Sequence, residues 1–268
     1  MRTIRVLMLA LALAGPMAGP GLADQVDDGL AAYAKGDYAA ALALLRPNAE
    51  LGDARAQNYL GVLFDHGRGV SPDPAEARKW YLLSASQGYG AAQFNLGELY
   101  RLALGVPKDI AEAGKWYRLA AEQGYAAACF NLGSMYASGD GVAQDDDEAV
   151  KWYRCAAEQG YAKAQFKLAV MYDFGRGVPQ SDAEAIAWYL RAATQGHATA
   201  QNNLGAIYAD GQGVKQDYVQ AMMWFLLAAK GGDPDAPKSI DLARRLMTPS
   251  QLDEAQRLSD AWIPQKGN

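Results

Sequence analysis

YAAACFNLGSMYASGDGVAQDDDEAVKWYRCAAEQG, residues 125–160, decides the fold. Its first half carries small and apolar residues at helical spacing and breaks at Gly139-Asp140-Gly141-Val142. A second helical segment opens at Asp145 and stops at Gly160. Glycine accepts the positive φ that ends a helix, so the stretch reads as two helices joined by a turn. Moved 36 residues in either direction, the pattern returns: Trp80, Trp116, Trp152, Trp188 and Trp224 are evenly spaced, as are Leu60, Leu96, Leu132, Leu168 and Leu204. A fixed period of this size is the signature of a stacked solenoid.

In the first helix of each unit, a glycine stands beside the core leucine at Gly61, Gly97, Gly133 and Gly205, with Ala169 in the fourth unit. Glycine inside a helix costs about 1 kcal/mol relative to alanine, so its recurrence at one phase implies that a crossing helix needs the space. In the second helix, Ala149, Trp152, Tyr153, Ala156 and Ala157 follow i, i+3, i+4, i+7, i+8 spacing and build a broad apolar face. The valine after each glycine turn is expected to plug inward. Asp73-x-x-Glu76, Asp109-x-x-Glu112, Asp145-x-x-Glu148, Ser181-x-x-Glu184 and Asp217-x-x-Gln220 have the form of capping boxes, in which the fourth side chain reaches back to the N-cap. The acidic run Asp145 to Glu148 lacks the spacing of a calcium loop and complements the positive end of its helix.

These features give an all-α chain, an α/α superhelical solenoid of stacked helical hairpins. Repeats are expected over 53–88, 89–124, 125–160, 161–196 and 197–232, with an N-terminal capping hairpin over 24–52 and C-terminal capping helices over 233–268. A helix is expected over Ser239 to Met247, with Ile240, Ala243 and Leu246 on one face, and another from Thr248-Pro249 onward. Arg2 and Arg5, the apolar run from Val6 to Ala14 and the small residues Gly21 and Ala23 have the form of a secretory signal peptide over 1–23. The apolar run is about half the ~20 residues a membrane span needs, so export without a stable membrane anchor is expected, to the periplasm in a Gram-negative cell and otherwise outside it.

The 268 residues carry a formal net charge of −5 and no basic stretch, which argues against a nucleic-acid partner. Two cysteines and two histidines are too few for a multi-ligand zinc site or a disulfide-stapled scaffold, and no cofactor is expected. His66 and His197 stand far apart and read as solvated surface residues. Cys129 and Cys155 lie on the two helices of one unit; their phases do not clearly face each other, so two buried thiols are favoured over a disulfide.

Repeat three supplies Ala128, Leu132-Gly133, Tyr136, Gly139, Gly141-Val142, Asp145, Ala149, Trp152-Tyr153, Ala156-Ala157 and Gly160. In these residues the chain resembles the Sel1-like repeat family, a relative of the tetratricopeptide repeats. The resemblance covers about two thirds of the chain. It implies an adaptor that assembles complexes or regulates signalling, and a right-handed solenoid. Some exported relatives rich in cysteine are connected with β-lactams, but this chain lacks that cysteine pattern.

The column beside the core leucine is Tyr59, Asn95, Asn131, Lys167 and Asn203. In the related solenoids this side of the first helix lines the concave surface, and an asparagine there can hold the backbone of an extended peptide, offering a donor and an acceptor. Arg55 and Lys163 vary on the same stripe, as do Val62, Glu98, Ser134, Val170 and Ala206. The competing reading is that the asparagines bond neighbouring helices and hold the stack. The favoured function is a non-catalytic, monomeric, protein-binding scaffold or adaptor, a periplasmic regulator or assembly factor for an envelope protein. An envelope enzyme acting on peptidoglycan or β-lactams would need a cleft with convergent titratable groups. A polysaccharide-binding scaffold would need exposed aromatic platforms, for which Phe94, Phe130, Phe166 and Phe174 are the candidates.

Overall fold

A computed structural model describes residues 22–265; the leader expected over 1–23 lies outside the described residues except for its last two. An N-terminal hairpin of α1 (Leu22–Ala34) and α2 (Tyr38–Glu50) opens the stack. The five units follow as α3 (Ala54–His66) with α4 (Pro74–Ser86), α5 (Gly90–Leu102) with α6 (Ile110–Glu122), and α7 (Ala126–Ser138) with α8 (Asp146–Glu158). Then come α9 (Ala162–Phe174) with α10 (Asp182–Thr194) and α11 (Ala198–Asp210) with α12 (Tyr218–Lys230). The chain closes with α13 (Ala236–Arg244) and α14 (Pro249–Ala261), and no strand occurs among the described residues. The helices of each hairpin pack on each other, and each second helix also packs on the first helix of the next hairpin, so the core is a continuous line rather than a centre.

The recurring glycine has a single cause. A Cβ on Gly61 would stand 2.6 Å from the Tyr81 ring, and Gly97, Gly133 and Gly205 face Tyr117, Tyr153 and Phe225 at 2.6–2.8 Å. In these four units the aromatic ring of the second helix thus crosses the first helix at a point with no side chain, and in the fourth Tyr189 is buried with Ala169 in that place. Both Tyr81 and Tyr117 are buried as a result. The turn valines are half-buried. The turn glycines adopt the left-handed conformation, as at Gly67 (φ 63°), and in the second unit Ala103 adopts it too (φ 59°), the one non-glycine to do so among the described residues.

Helix starts depart from the capping-box expectation in one half. Asp73, Asp109, Asp145, Ser181 and Asp217 accept from the opening amides. The fourth residue does not reach back. Glu76 accepts from Lys79 and from Trp80 Nε1 (2.8 Å), and Glu148 from Lys151 and Trp152 Nε1 (2.8 Å). In these two units the tryptophan one turn along captures the carboxylate, so its indole N–H is satisfied while the ring stays buried. The full reciprocal box forms at Thr248 and Gln251.

The C-terminal cap keeps the register and changes the packing. Ala236, Ile240 and Ala243 are buried 36 residues after Ala200, Leu204 and Ile207, so α13 is the first helix of a sixth unit. It starts earlier than the expected Ser239 because the Asp233 carboxylate accepts from the amides of Asp235 and Ala236. Leu246, expected on the apolar face, is 62% exposed. Asp241 takes the place of the recurring glycine and leaves no seat for a crossing ring. Accordingly α14 packs on α12, with Trp262 edge-on to Trp224 (6.4 Å) and Lys230 paired to Asp260 (2.8 Å).

Candidate partner-binding face

The glycine crossing determines what emerges on the side of the stack formed by the first helices. Each tyrosine that crosses a first helix ends in a hydroxyl, and a buried hydroxyl needs a partner. Tyr81 donates to Asp65 (3.3 Å), Tyr117 to Glu98, Tyr153 to Ser134 (3.3 Å) and Tyr189 to Asp173 (3.1 Å). The partner sits at one of two positions one helical turn apart. In the fifth unit the ring is Phe225, without a hydroxyl, and both positions are alanine, Ala206 and Ala209.

The asparagine column lies beside this polar line and bonds into it. Asn95 Nδ2 donates to Asn58 Oδ1 on α3 (3.0 Å), Asn131 Nδ2 to Glu98 on α5 (2.9 Å), and Asn203 Nδ2 to the Tyr189 hydroxyl on α10 (3.2 Å). Each asparagine therefore ties its helix to the preceding unit. Each also keeps its Oδ1 without a hydrogen bond to the described residues, so stacking does not use up the amide. Tyr59, in the same column, packs edge-on to Tyr33 (5.1 Å). Arg55 pairs with Asp27 of the N-terminal hairpin (2.9 Å). Lys163 and Lys167 are exposed and make no ion pair or hydrogen bond among the described residues.

Two hollows open between successive first helices on this face. One, of about 330 Å³, is lined by Asp65, His66, Asn95, Glu98 and Leu102; the next, of about 280 Å³, by Arg101, Tyr117, Phe130, Asn131 and Ser134. The ridge between them is Glu98 with Arg101 (2.6 Å). Burial pushes the Glu98 carboxyl up, but hydrogen bonds from Arg101, Tyr117 and Asn131 together outweigh it and hold the group below its ordinary value. The carboxylate stays ionised with its lone pairs committed, an arrangement suited to fixing two units together.

Three sequence expectations change in this light. His197 is not a solvated surface residue: its Nδ1 accepts from the Ala200 amide at the start of α11, and its ring stacks on Phe166 at 4.7 Å. Burial lowers its pKa from the usual value. His66, by contrast, is half exposed beside Asp65 (3.8 Å). Cys129 and Cys155 are not two thiols but a disulfide, with Cα atoms 6.0 Å apart. Phe94 and Phe130 are not open platforms: each lies between a tyrosine of its own unit and Tyr125 or Tyr161 of the next, at 5.1–5.9 Å. Phe166 is held the same way by Tyr189 and His197, whereas Phe174 is 70% exposed.

Sequence reasoning placed Glu98 only among variable positions and missed Asp65, Asp173 and Arg101. The signal was present: an acid or serine occurs at one of two fixed offsets in every unit that has a tyrosine, and in none that lacks it. No cluster of three or more candidate metal ligands occurs among the described residues, and no helix there is long and apolar enough to cross a membrane.

The Sel1 repeat family matches the chain over residues 54–89, 90–125, 126–161, 162–197 and 198–233. No match is found among curated proteins. Among solved structures, the chain is similar to a Sel1 repeat protein from Oxalobacter formigenes, with 38% identity over 88% of this chain and 97% of that one, and a TM-score of 0.74. It is also similar to c5321, a protective antigen present in uropathogenic Escherichia coli strains and displaying an SLR fold. That likeness has 29% identity over 92% of this chain and 62% of the other, with a TM-score of 0.62.

Proposed function

The chain belongs to the Sel1 repeat family, and from that premise we propose that it is a non-catalytic protein-binding scaffold, exported from the cytoplasm, that regulates or helps assemble an envelope protein. Sel1 repeats are a scaffold that generally mediates protein–protein interaction. The observation that carries the reading is the contrast along each first helix. Its core positions repeat from unit to unit, while the stripe through Tyr59, Asn95, Asn131, Lys167 and Asn203 does not. A surface that changes at the first and fourth units and keeps asparagine at the others, on a regular frame, suits a partner that differs along its length. The asparagines support it further, since each keeps acceptor capacity after bonding its neighbour. The leader-like N-terminus and the Cys129–Cys155 disulfide support export, because disulfides persist in oxidising compartments. The Glu98 cluster does not favour an enzyme, since its carboxylate is already met by three donors.

In-cell photo-crosslinking from position 131 tests the reading, with the adduct identified by mass spectrometry. A single protein adduct, abolished by arginine at Asn95 and Asn203 in a variant that still folds, is the expected result. No adduct from position 131 or its column neighbours, under conditions where the protein is needed, overturns it. Export is tested separately by N-terminal sequencing of the protein from the envelope fraction.

A further inference from the structure

We infer that the first helix of the fourth unit is a docking site for an acidic, extended segment of a partner protein, with Lys163 and Lys167 receiving its carboxylates and Phe174 an apolar side chain further along. The inference rests on the protein-binding reading above and adds the chemistry of the partner. It starts from a charge imbalance. Lys79, Lys115 and Lys151 on the second helices each pair with a glutamate three residues before them, and Lys230 pairs with Asp260. Lys163 and Lys167 do not. They lie four residues apart and so project from one face of α9, one helical turn from each other.

Of the acids on the helices packed against α9, among them Glu158 at the end of α8 and Asp182 and Glu184 at the start of α10, none pairs with either lysine, and the neighbouring first helices add little. On one side, α7 contains no Asp, Glu, Lys, Arg or His; on the other, α11 contains only Asp210, at its far end. Within α9 the one acid is Asp173, whose carboxylate is bonded to Tyr189 and Gln212. Asp233, near His197, is committed to the amides that open α13. Two cations therefore stand alone in the middle of a three-helix stretch of a chain whose net charge is −5. Lys167 also occupies the column position where Asn95, Asn131 and Asn203 bond the preceding unit, so the fourth unit gives up that bond and presents a charge instead.

The lining around the lysines suits a peptide more than a compact anion. Asn131 and Asn203 flank them on α7 and α11 with free amide oxygens, which accept from backbone N–H groups and would repel phosphate oxygens. Lys167 Nζ lies 5.8 Å from the centre of the Phe166 ring, and His197 stacks on the same ring, so the base of the site is aromatic and held on two sides. Phe174, 70% exposed, lies about 10 Å along the helix from Lys167 on the same stripe, within reach of a residue three or four positions along an extended chain.

A displayed library of random dodecapeptides, selected on the folded, disulfide-intact chain, tests this. Enriched sequences are expected to carry Asp or Glu with an apolar residue a few positions away. A synthetic enriched peptide, followed by fluorescence anisotropy, is expected to bind about tenfold more weakly to the Lys163→Glu, Lys167→Glu variant and nearly unchanged to the Lys163→Arg, Lys167→Arg variant. Both positions are exposed, and circular dichroism checks that the helices persist. Enrichment of peptides without acids, no enrichment, or equal binding by the glutamate variant overturns the site. So does lysine-dependent binding of polyphosphate or phosphatidylglycerol vesicles in place of acidic peptides. An adduct from position 131 whose yield is untouched by the glutamate substitutions overturns this site and leaves the protein-binding reading standing. Loss of every adduct along the stripe in the unsubstituted chain defeats the wider reading.

Discussion

The first, second and fourth units differ from the third in how their helices are fastened. In the former, a buried glutamine on the first helix joins three helices. Gln57, Gln93 and Gln165 donate to the carbonyls of Ala49, Ala85 and Ala157 on the preceding second helix, at 3.0–3.3 Å. Their Oε1 atoms accept from Gln87, Gln123 and Gln195 at the end of their own hairpin, at 2.7–2.8 Å. In the third unit Cys129 holds the glutamine's place and is bonded to Cys155, while Gln159 turns back to the Cys155 carbonyl (2.9 Å). The disulfide strengthens the hairpin from within and gives up the amide bond to the second unit. In a linear stack, stability is a sum of unit and interface contributions, so this exchange moves stability from an interface into a unit.

The same interface is weakened from the other side. Gly114 stands where the other units have Arg78, Val150, Ile186 and Met222, and a hollow of about 440 Å³ opens beside it, lined also by Leu132 and Val142. Two polar links cross this interface, Asn131 to the Glu98 cluster and Arg118 to the Tyr136 hydroxyl. The third unit is thus closed covalently from within, and its junction with the second relies on charged and polar bonds where the other junctions add an amide clamp.

Reducing the disulfide is expected to have the largest effect. It closes a loop with a sequence separation of 26, for which chain entropy gives roughly 3 kcal/mol. Denaturant melts with and without reductant measure it, and the Cys129→Gln, Cys155→Ala variant is expected to recover part of the loss by restoring the amide clamp. If reduction leaves the melt unchanged, the comparison between units fails. Next comes Glu98→Ala, which leaves Tyr117 and Asn131 without an acceptor and should destabilise by about 2 kcal/mol. Because the folded Glu98 pKa is depressed, its contribution is full above the unfolded carboxylate pKa and is lost as pH falls through the folded value. An acid titration of the Glu98→Gln variant should be correspondingly flatter.

Smaller gains follow from repairing the second unit. Ala103→Gly removes a left-handed alanine and should stabilise by about 1 kcal/mol, read as a shift in the urea midpoint. Gly114→Ala should gain a similar amount from helix propensity, since the new Cβ meets only the flexible end of Met135. A loss of stability there would mean that Met135 is fixed and the hollow is not spare room. The smallest effect belongs to His197. Its folded pKa lies below the unfolded value, so its cap on α11 is fully present above the unfolded pKa and weakens as pH falls toward the folded one. His197→Tyr, matching Tyr89, Tyr125 and Tyr161, should remove that pH dependence in a thermal melt across mildly acidic pH.

Period, hairpin, glycine turn and helix caps were legible because each is a local demand: a φ only glycine accepts easily, an amide needing a side-chain oxygen, a face needing apolar residues every three or four positions. The glycine beside Leu60 already announced a crossing ring. The candidate face was legible as a column but not as a network. Whether Asn131 bonds a partner or Glu98, whether Trp80 or the N-cap captures Glu76, and whether Cys129 meets Cys155 depend on atoms brought together from different helices. Those meetings follow from crossing angle and rotamer, which a one-dimensional period does not contain. The sequence by itself determined a stack of helical hairpins and the positions free to vary. Only the packed structure decided which varying residues are spent on holding the stack and which, like Lys163 and Lys167, are left facing outward with their charge unmatched.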